Sequence, residues 1–265
     1  MAEYTVPAGY ADEKKDVNYG KVVEITYPSK TTGTDRKANI ILPAGFSEEK
    51  KYPVLYLLHG IGGDHNEWIG GGAATVLYNM MAAGEAKDLI AVVPNVRARA
   101  NDAANPEDIF SIEHFKAFDN FMNDLKNDLM PFINANYPVF TDRKHTAIAG
   151  LSMGGRETLN IGFHMYDTFG YIGAFTPAPG LFPYENFGVY EEGLFTEDTF
   201  KLPEGSDHFV MIVEGATDDV VKHHPRSYHE ALVKNGTEHI FYTTEGGHEF
   251  KVWLHGLYNY VKNIF

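Results

Sequence analysis

The sequence predicts an α/β fold in which a mostly parallel sheet is covered by helices on both faces. Three observations lead there. Apolar runs of strand length alternate along the 265 residues with segments of helical spacing. Tyr52 to Leu58 and Leu89 to Pro94 are apolar almost throughout, the pattern of strands buried on both faces. Gly150-Leu151-Ser152-Met153-Gly154 sets a serine between a strand-like and a helix-like segment. Such a serine occupies a sharp turn at the carboxyl end of a sheet. The length suits one large domain, so a single unit over residues 1–265 is expected.

The elements follow in order. Residues 1–20 are polar and read as an arm. Val22 to Tyr27 alternates as a strand. It pairs as a hairpin with Arg36 to Leu42 across the turn residues Pro28 to Gly33. Tyr52 to Leu58 is a central strand running into His59-Gly60, and Ala73 to Ala83 is helical. Leu89 to Pro94 is the next strand. Phe118, Phe121, Leu125, Leu129, Phe132 and Ile133 recur at helical spacing and predict one long amphipathic helix. His145 to Ala149 is the strand before the serine, and Gly155 to His164 the helix after it. Tyr171 to Phe175, His208 to Val213 and His239 to Thr243 are further strands. Ser227 to Asn235, closed by Gly236, and Val252 to Ile264 are helices.

Composition narrows the function. Hydrophobic content of 44% and charged content of 22% are ordinary for a globular protein. The formal net charge of −14 disfavours nucleic acid and anionic membrane surfaces as partners. No apolar run is long enough to span a bilayer. Cysteine is absent, which excludes disulfides and a thiol nucleophile. The N-terminus carries no signal segment, as expected of a cytoplasmic chain or of a secreted one after processing.

The chemistry starts at Ser152. Glycines at 150 and 154 let the backbone pass through a strained strand–turn–helix, the nucleophile elbow of the α/β-hydrolase fold. A serine hydroxyl needs a base. Of 12 histidines, His248 lies best, in the glycine-rich loop Glu245 to Phe250 after the last strand. His255 reads as packing or surface, and His223 and His224 as solvated. The acid is expected after the strand ending at Val213. Asp218 is placed to reach the outer imidazole nitrogen, Asp219 is its neighbouring rival, and Glu214 reads as structural. The oxyanion requires two backbone donors. The N–H of Met153 and the N–H of Ile61, in Gly60-Ile61-Gly62-Gly63, are the candidates, with His59 holding that loop. Asp218, Asp219, His223 and His224 match no zinc-ligand spacing, and a Ser–His–Asp enzyme requires neither metal nor cofactor.

These residues resemble a known family. Tyr56 to Gly63 with Trp68, Thr141-Asp142-Arg143, Ala149 to Gly155, Gly215 to Asp218, and Gly246-Gly247-His248-Glu249-Phe250 with Trp253 are similar to carbohydrate esterase family 1. Within it they most resemble the bacterial feruloyl esterase domains attached to xylanases, from about residue 20 to the C-terminus. The serine motif is common to the fold. The His-Gly-Ile-Gly-Gly and Gly-Gly-His-Glu-Phe-x-x-Trp runs are much more specific. The resemblance implies a secreted enzyme that releases ferulic or p-coumaric acid from arabinoxylan. It implies Ser152, Asp218 and His248 as the triad, with Ile61 and Met153 as oxyanion donors. Trp68, Phe175 and Phe182 are the expected contacts of the aromatic acyl group. Arg97 to Phe115 is longer and more charged than the family's pattern, and Ala178 to Phe200 is unusually aromatic and acidic. Both are expected at the site mouth. An acetylxylan esterase is the first rival, and formylglutathione hydrolases and mycolyltransferases share the family. A catalytically dead carbohydrate-binding module is the rival from another class.

Overall fold

The computed structural model describes residues 4–186 and 189–265. Its centre is an eight-stranded sheet. β1 (Lys21–Ser29) and β2 (Thr34–Leu42) form the antiparallel hairpin read from the sequence, with Ser29 opposite Thr34. β3 (Val54–Leu58) leads through two helices, α1 (Glu67–Gly70) and α2 (Ala73–Ala82), to β4 (Ile90–Pro94). After a long loop come α3 (Ile112–Asp119), α4 (Phe121–Asp124) and α5 (Met130–Asn136). β5 (Thr146–Leu151) passes directly into α6 (Ser152–His164), followed by β6 (Tyr171–Phe175). A small antiparallel pair, β7 (Tyr184–Asn186) and β8 (Val189–Glu191), precedes β9 (Phe209–Gly215). α7 (His224–Lys234), β10 (Ile240–Thr244) and α8 (Phe250–Val261) complete the chain.

The strand order is β1-β2-β4-β3-β5-β6-β9-β10, parallel from β4 onward. This is the expected α/β-hydrolase arrangement. Side chains alternate across it. Tyr56 and Leu58 of β3 point into a core shared with Phe118, Phe121, Leu159 and Tyr228 from α3, α4, α6 and α7. Leu55 and Leu57 point the other way, against Trp68, Leu77, Leu257 and Tyr260 from α1, α2 and α8. Both faces are covered at the centre of the sheet, so β3 and β4 are buried at every position and apolar throughout.

Two expectations change. The long helix is interrupted at Asn120 and again by a π-helical turn over Leu125–Leu129. Pro131 has no N–H to donate one turn back, so a regular ladder cannot run through this region. The interruption has a use. Asp128 accepts hydrogen bonds from the N–H groups of Lys30 and Thr31 at 3.0 Å each, and Asp124 accepts one from the Tyr27 hydroxyl at 2.6 Å. Asp128 in the altered turn and Asp124 just before it thus tie down the β1–β2 hairpin. The arm, whose residues 1–3 lie outside the described residues, docks through aromatic rings. Tyr4 stacks on Tyr242 at 4.4 Å and Tyr10 meets Tyr258 edge-on at 5.5 Å. Asn79 of α2 donates to the carbonyls of Tyr10 and Asp12. Among the described residues no helix is long and apolar enough to cross a membrane.

Candidate active site

The site forms where β3, β5, β6, β9 and β10 end. Ser152 begins α6 directly after β5, and its φ is +52°, a value an L-residue adopts only under strain. Glycine is required beside it for contact reasons. A Cβ on Gly150 would lie 2.4 Å from the Gly154 carbonyl oxygen, and one on Gly154 would lie 2.4 Å from that of Leu58. The turn is therefore held against the end of β3, and the hydroxyl faces the loop that carries His248.

The Ser152 hydroxyl donates to Nε2 of His248 at 2.8 Å, and Nδ1 of His248 donates to Oδ2 of Asp218 at 2.8 Å. The other oxygen of Asp218 accepts from the N–H groups of Val220 and Val221 at 3.0 and 3.1 Å. Burial acts to raise the Asp218 pKa. The hydrogen bond and charge of His248, with those two N–H groups, outweigh it and hold the carboxyl below its usual range. Asp219 is exposed. Glu214 instead accepts from Arg226 at 2.6 Å and from the Thr243 hydroxyl at 3.2 Å. His255 packs against Tyr242, and His223 is exposed. His224 departs from the solvated position expected. It is half-buried against His223 and Tyr228, and burial pushes its pKa down to about 4.

Met153 is the second residue of α6, so its N–H belongs to the first turn, where no helical acceptor exists. Ile61 lies in the turn after β3. His59 is wholly buried. Its Nε2 accepts from the N–H of Val96 at 2.8 Å, which leaves the proton on Nδ1 to donate to the Gly60 carbonyl at 2.7 Å. Burial, reinforced by the nearby Arg97 charge, pushes the His59 pKa down to about 3, so the ring stays neutral. It holds the glycine turn and takes no part in the Ser152 relay.

Two residues with no site role expected from the sequence support His248. Thr176, in a backbone conformation with φ +43°, places its hydroxyl 3.3 Å from Nδ1 of His248. Trp253 donates its indole N–H to that hydroxyl at 2.7 Å and sets its ring edge-on to the imidazole at 5.1 Å. The signal for Trp253 was its spacing after His248. Thr176 had none, because its role depends on a positive φ that sequence pattern does not show.

The aromatic contacts need correction. Trp68 is 0% exposed, donates its indole N–H to the Leu58 carbonyl at 2.8 Å and packs between Phe175 and Phe250. Phe175 is also 0% exposed, between Trp68 and Tyr260. Both are core residues. α1 folds back beneath the glycine turn and carries Trp68 inward, while the alternation of β6 turns Phe175 toward α8. Phe182 is half-buried against Phe200 and Tyr228. Tyr228 in turn donates to the Ala178 carbonyl at 2.8 Å, and the Ala178 N–H donates to the Ser152 carbonyl at 3.0 Å. The segment Ala178 to Phe200 is thereby tied to the elbow, except that Phe187 and Gly188 lie outside the described residues.

Comparison with known proteins adds the following. A family profile described as putative esterase matches residues 29–264. An endo-1,4-beta-xylanase/feruloyl esterase of Xylanibacter ruminicola is 30% identical over 262 residues, covering 95% of this chain and 32% of that one. The endo-1,4-beta-xylanase Y of Acetivibrio thermocellus is 26% identical over 212 residues, covering 71% of this chain and 18% of that one. The chain thus spans a third or less of the length of these two relatives. A CE1 ferulic acid esterase from Anaeromyces mucronatus, solved in complex with ferulic acid, is 38% identical with a TM-score of 0.93. The match covers 100% of this chain and 98% of that one.

Proposed function

The chain belongs to the putative-esterase family, in its carbohydrate esterase family 1 branch, and on that premise we propose that it is a serine feruloyl esterase. It releases ferulic or p-coumaric acid from feruloylated arabinoxylan. The observation that carries this reading is the relay of two 2.8 Å hydrogen bonds from a strained Ser152 through His248 to Asp218. Similarity to an esterase that holds ferulic acid supports the choice of acyl group.

The chemistry proceeds in two halves. Ser152 Oγ attacks the ester carbonyl as its proton passes to Nε2 of His248. The tetrahedral oxyanion is held by the N–H groups of Ile61 and Met153. Asp218 keeps the proton on Nδ1 and stabilises the imidazolium. The C–O bond to the sugar breaks and His248 protonates the departing alcohol, leaving a feruloyl-Ser152 ester. Water then attacks that ester with His248 as base. The acid is released and the serine regains its proton. Phe182 is the one of the three expected aromatics open enough to touch the acyl ring. Action on a plant polysaccharide places the enzyme outside the cell, with residues 1–265 as one esterase unit.

The test compares turnover of methyl ferulate, p-nitrophenyl acetate and acetylated xylan. Preference for methyl ferulate over the acetylated polysaccharide is expected. Efficient deacetylation of xylan with no cleavage of methyl ferulate would reassign the substrate.

A further inference from the structure

Three consecutive peptide planes after β3 are each gripped by a side chain from within the fold. The N–H of Gly60, in the His59–Gly60 peptide, donates to Oε2 of Glu67 at 2.6 Å. The carbonyl of Gly60, in the Gly60–Ile61 peptide, accepts from His59 Nδ1 at 2.7 Å and from the Gly63 N–H at 3.2 Å. The carbonyl of Ile61, in the Ile61–Gly62 peptide, accepts from Nη1 of Arg97 at 3.3 Å. Nη2 of Arg97 donates to the carbonyl of Gly63 at 2.5 Å. A trans peptide is planar, so fixing one polar group of each plane fixes the direction of the other. The plane that contains the Ile61 N–H is held on its own carbonyl and bounded on both sides by held planes.

Arg97 is an unusual choice for such a task. It is 0% exposed, and its guanidinium donates to three backbone carbonyls: Ile61, Gly63 and, at 3.3 Å, Asp102. Burying a guanidinium is costly, and this one reaches two carbonyls of the turn at once, which an apolar side chain could not do. The Asp102 carbonyl also accepts from Asn95 at 2.7 Å. The same guanidinium therefore joins the glycine turn to the start of the long charged loop that departs from the family's pattern. Glu67 approaches from the other side, on α1, with its carboxylate on the first of the three planes.

We propose that Arg97 and Glu67 are positioning residues for the oxyanion donor of the 60–63 turn, Glu67 acting on its entry and Arg97 on its exit. The inference rests on the oxyanion role given above to Ile61. Neither residue touches the reacting atoms. Each acts by holding the turn in the geometry the tetrahedral intermediate requires. Loss of one oxyanion donor costs about 10² to 10³ in kcat, and an ångström of misplacement about 10². Loosening the turn should therefore cost about ten- to a hundredfold.

The experiment uses the whole chain with Arg97→Met, Arg97→Lys, Glu67→Met and Glu67→Gln. Rates on methyl ferulate are normalised to active serine by titration. Affinity is measured for phenylboronic acid, whose boron gains a bond from Ser152 Oγ and becomes a tetrahedral anion, and for coniferyl alcohol, which carries the feruloyl ring with neither a carbonyl nor a carboxylate. In Arg97→Met and Glu67→Met, kcat should fall about ten- to a hundredfold with KM within about threefold. Boronate affinity should fall by the same factor as kcat and coniferyl alcohol affinity should hold. Glu67→Gln, which retains an acceptor for the Gly60 N–H, should lose less than Glu67→Met. If Arg97→Met does not fold, Arg97→Lys and the Glu67 pair carry the test. Full kcat and full boronate affinity per active serine in the Met variants that fold, with only the melting temperature lowered, would overturn the proposal. A wild-type enzyme that neither cleaves methyl ferulate nor binds the boronate would instead refute the serine-esterase reading itself.

Discussion

Replacing Asp218 by asparagine isolates the part of the site that sets the protonation of His248. In the wild type, Oδ1 of Asp218 is committed to the N–H groups of Val220 and Val221, and Oδ2 accepts the His248 Nδ1 proton at 2.8 Å. The carbonyl of an asparagine would keep the two backbone bonds, because only an oxygen can accept them. Its NH2 would then face Nδ1. Two donors cannot share that contact, so the imidazole must present a lone pair at Nδ1 and carry its proton on Nε2. Nε2 is 2.8 Å from Ser152 Oγ and could no longer accept the hydroxyl proton. A fall in kcat of about 10⁴ is expected, equivalent to about 5 kcal/mol of transition-state stabilisation. The number of hydrogen bonds is conserved, so the melting temperature should move by only a few degrees. The assay is steady-state hydrolysis of methyl ferulate, with circular dichroism melting as the folding control. Asp219→Asn, at an exposed position, serves as the local control and should remain within about twofold. The reasoning fails if Asp218→Asn retains a tenth of the wild-type kcat, or if Asp219→Asn is equally damaging.

Three further outcomes are expected. Thr176→Val leaves the buried Trp253 indole N–H without its acceptor, which should cost about 1–3 kcal/mol and lower kcat, whereas Thr176→Ser keeps the hydroxyl and should restore both; urea denaturation and kcat for the two variants decide this. Phe175→Ala empties a fully buried site between Trp68 and Tyr260, so it should destabilise by about 3–5 kcal/mol and affect feruloyl and acetyl esters alike; a selective rise in KM for methyl ferulate in a stable variant would return Phe175 to the substrate. For His224 the folded pKa, about 4, lies below the unfolded value of 6.5, so between those limits the unfolded chain binds a proton the folded one lacks, and stability falls as pH falls. With allowance for its partial exposure, about 1 kcal/mol should be lost between pH 7 and pH 5; the same decline in His224→Asn, measured by urea midpoints, would assign the loss to other groups.

The sequence was legible where a residue's role follows from chemistry plus chain order. Ser152 follows β5 at the start of α6, Asp218 follows β9 and His248 follows β10, and their order along the chain is that of the fold's nucleophile, acid and base. β3 and β4 were legible because strands buried on both faces are apolar throughout, whereas the short β7–β8 pair was not read from the sequence. The helix after residue 111 was misread because periodicity registers apolar spacing and not the missing N–H of Pro131. Trp68 and Phe175 were misplaced because proximity in sequence to the site gives no side-chain direction. Thr176, Glu67 and Arg97 were not singled out for the parts they play because they act through backbone geometry: a positive φ, an accepted N–H and gripped carbonyls.

The central claim is that catalysis passes through an ester on Ser152. Rapid mixing with p-nitrophenyl ferulate, an acid quench and peptide mass mapping tests it directly. A burst of about one p-nitrophenol per enzyme and a feruloyl group on the peptide containing Ser152 are expected, both abolished in Ser152→Ala. Steady cleavage of the same ester by Ser152→Ala at near wild-type rate, or a feruloyl group carried by a different residue, would contradict it.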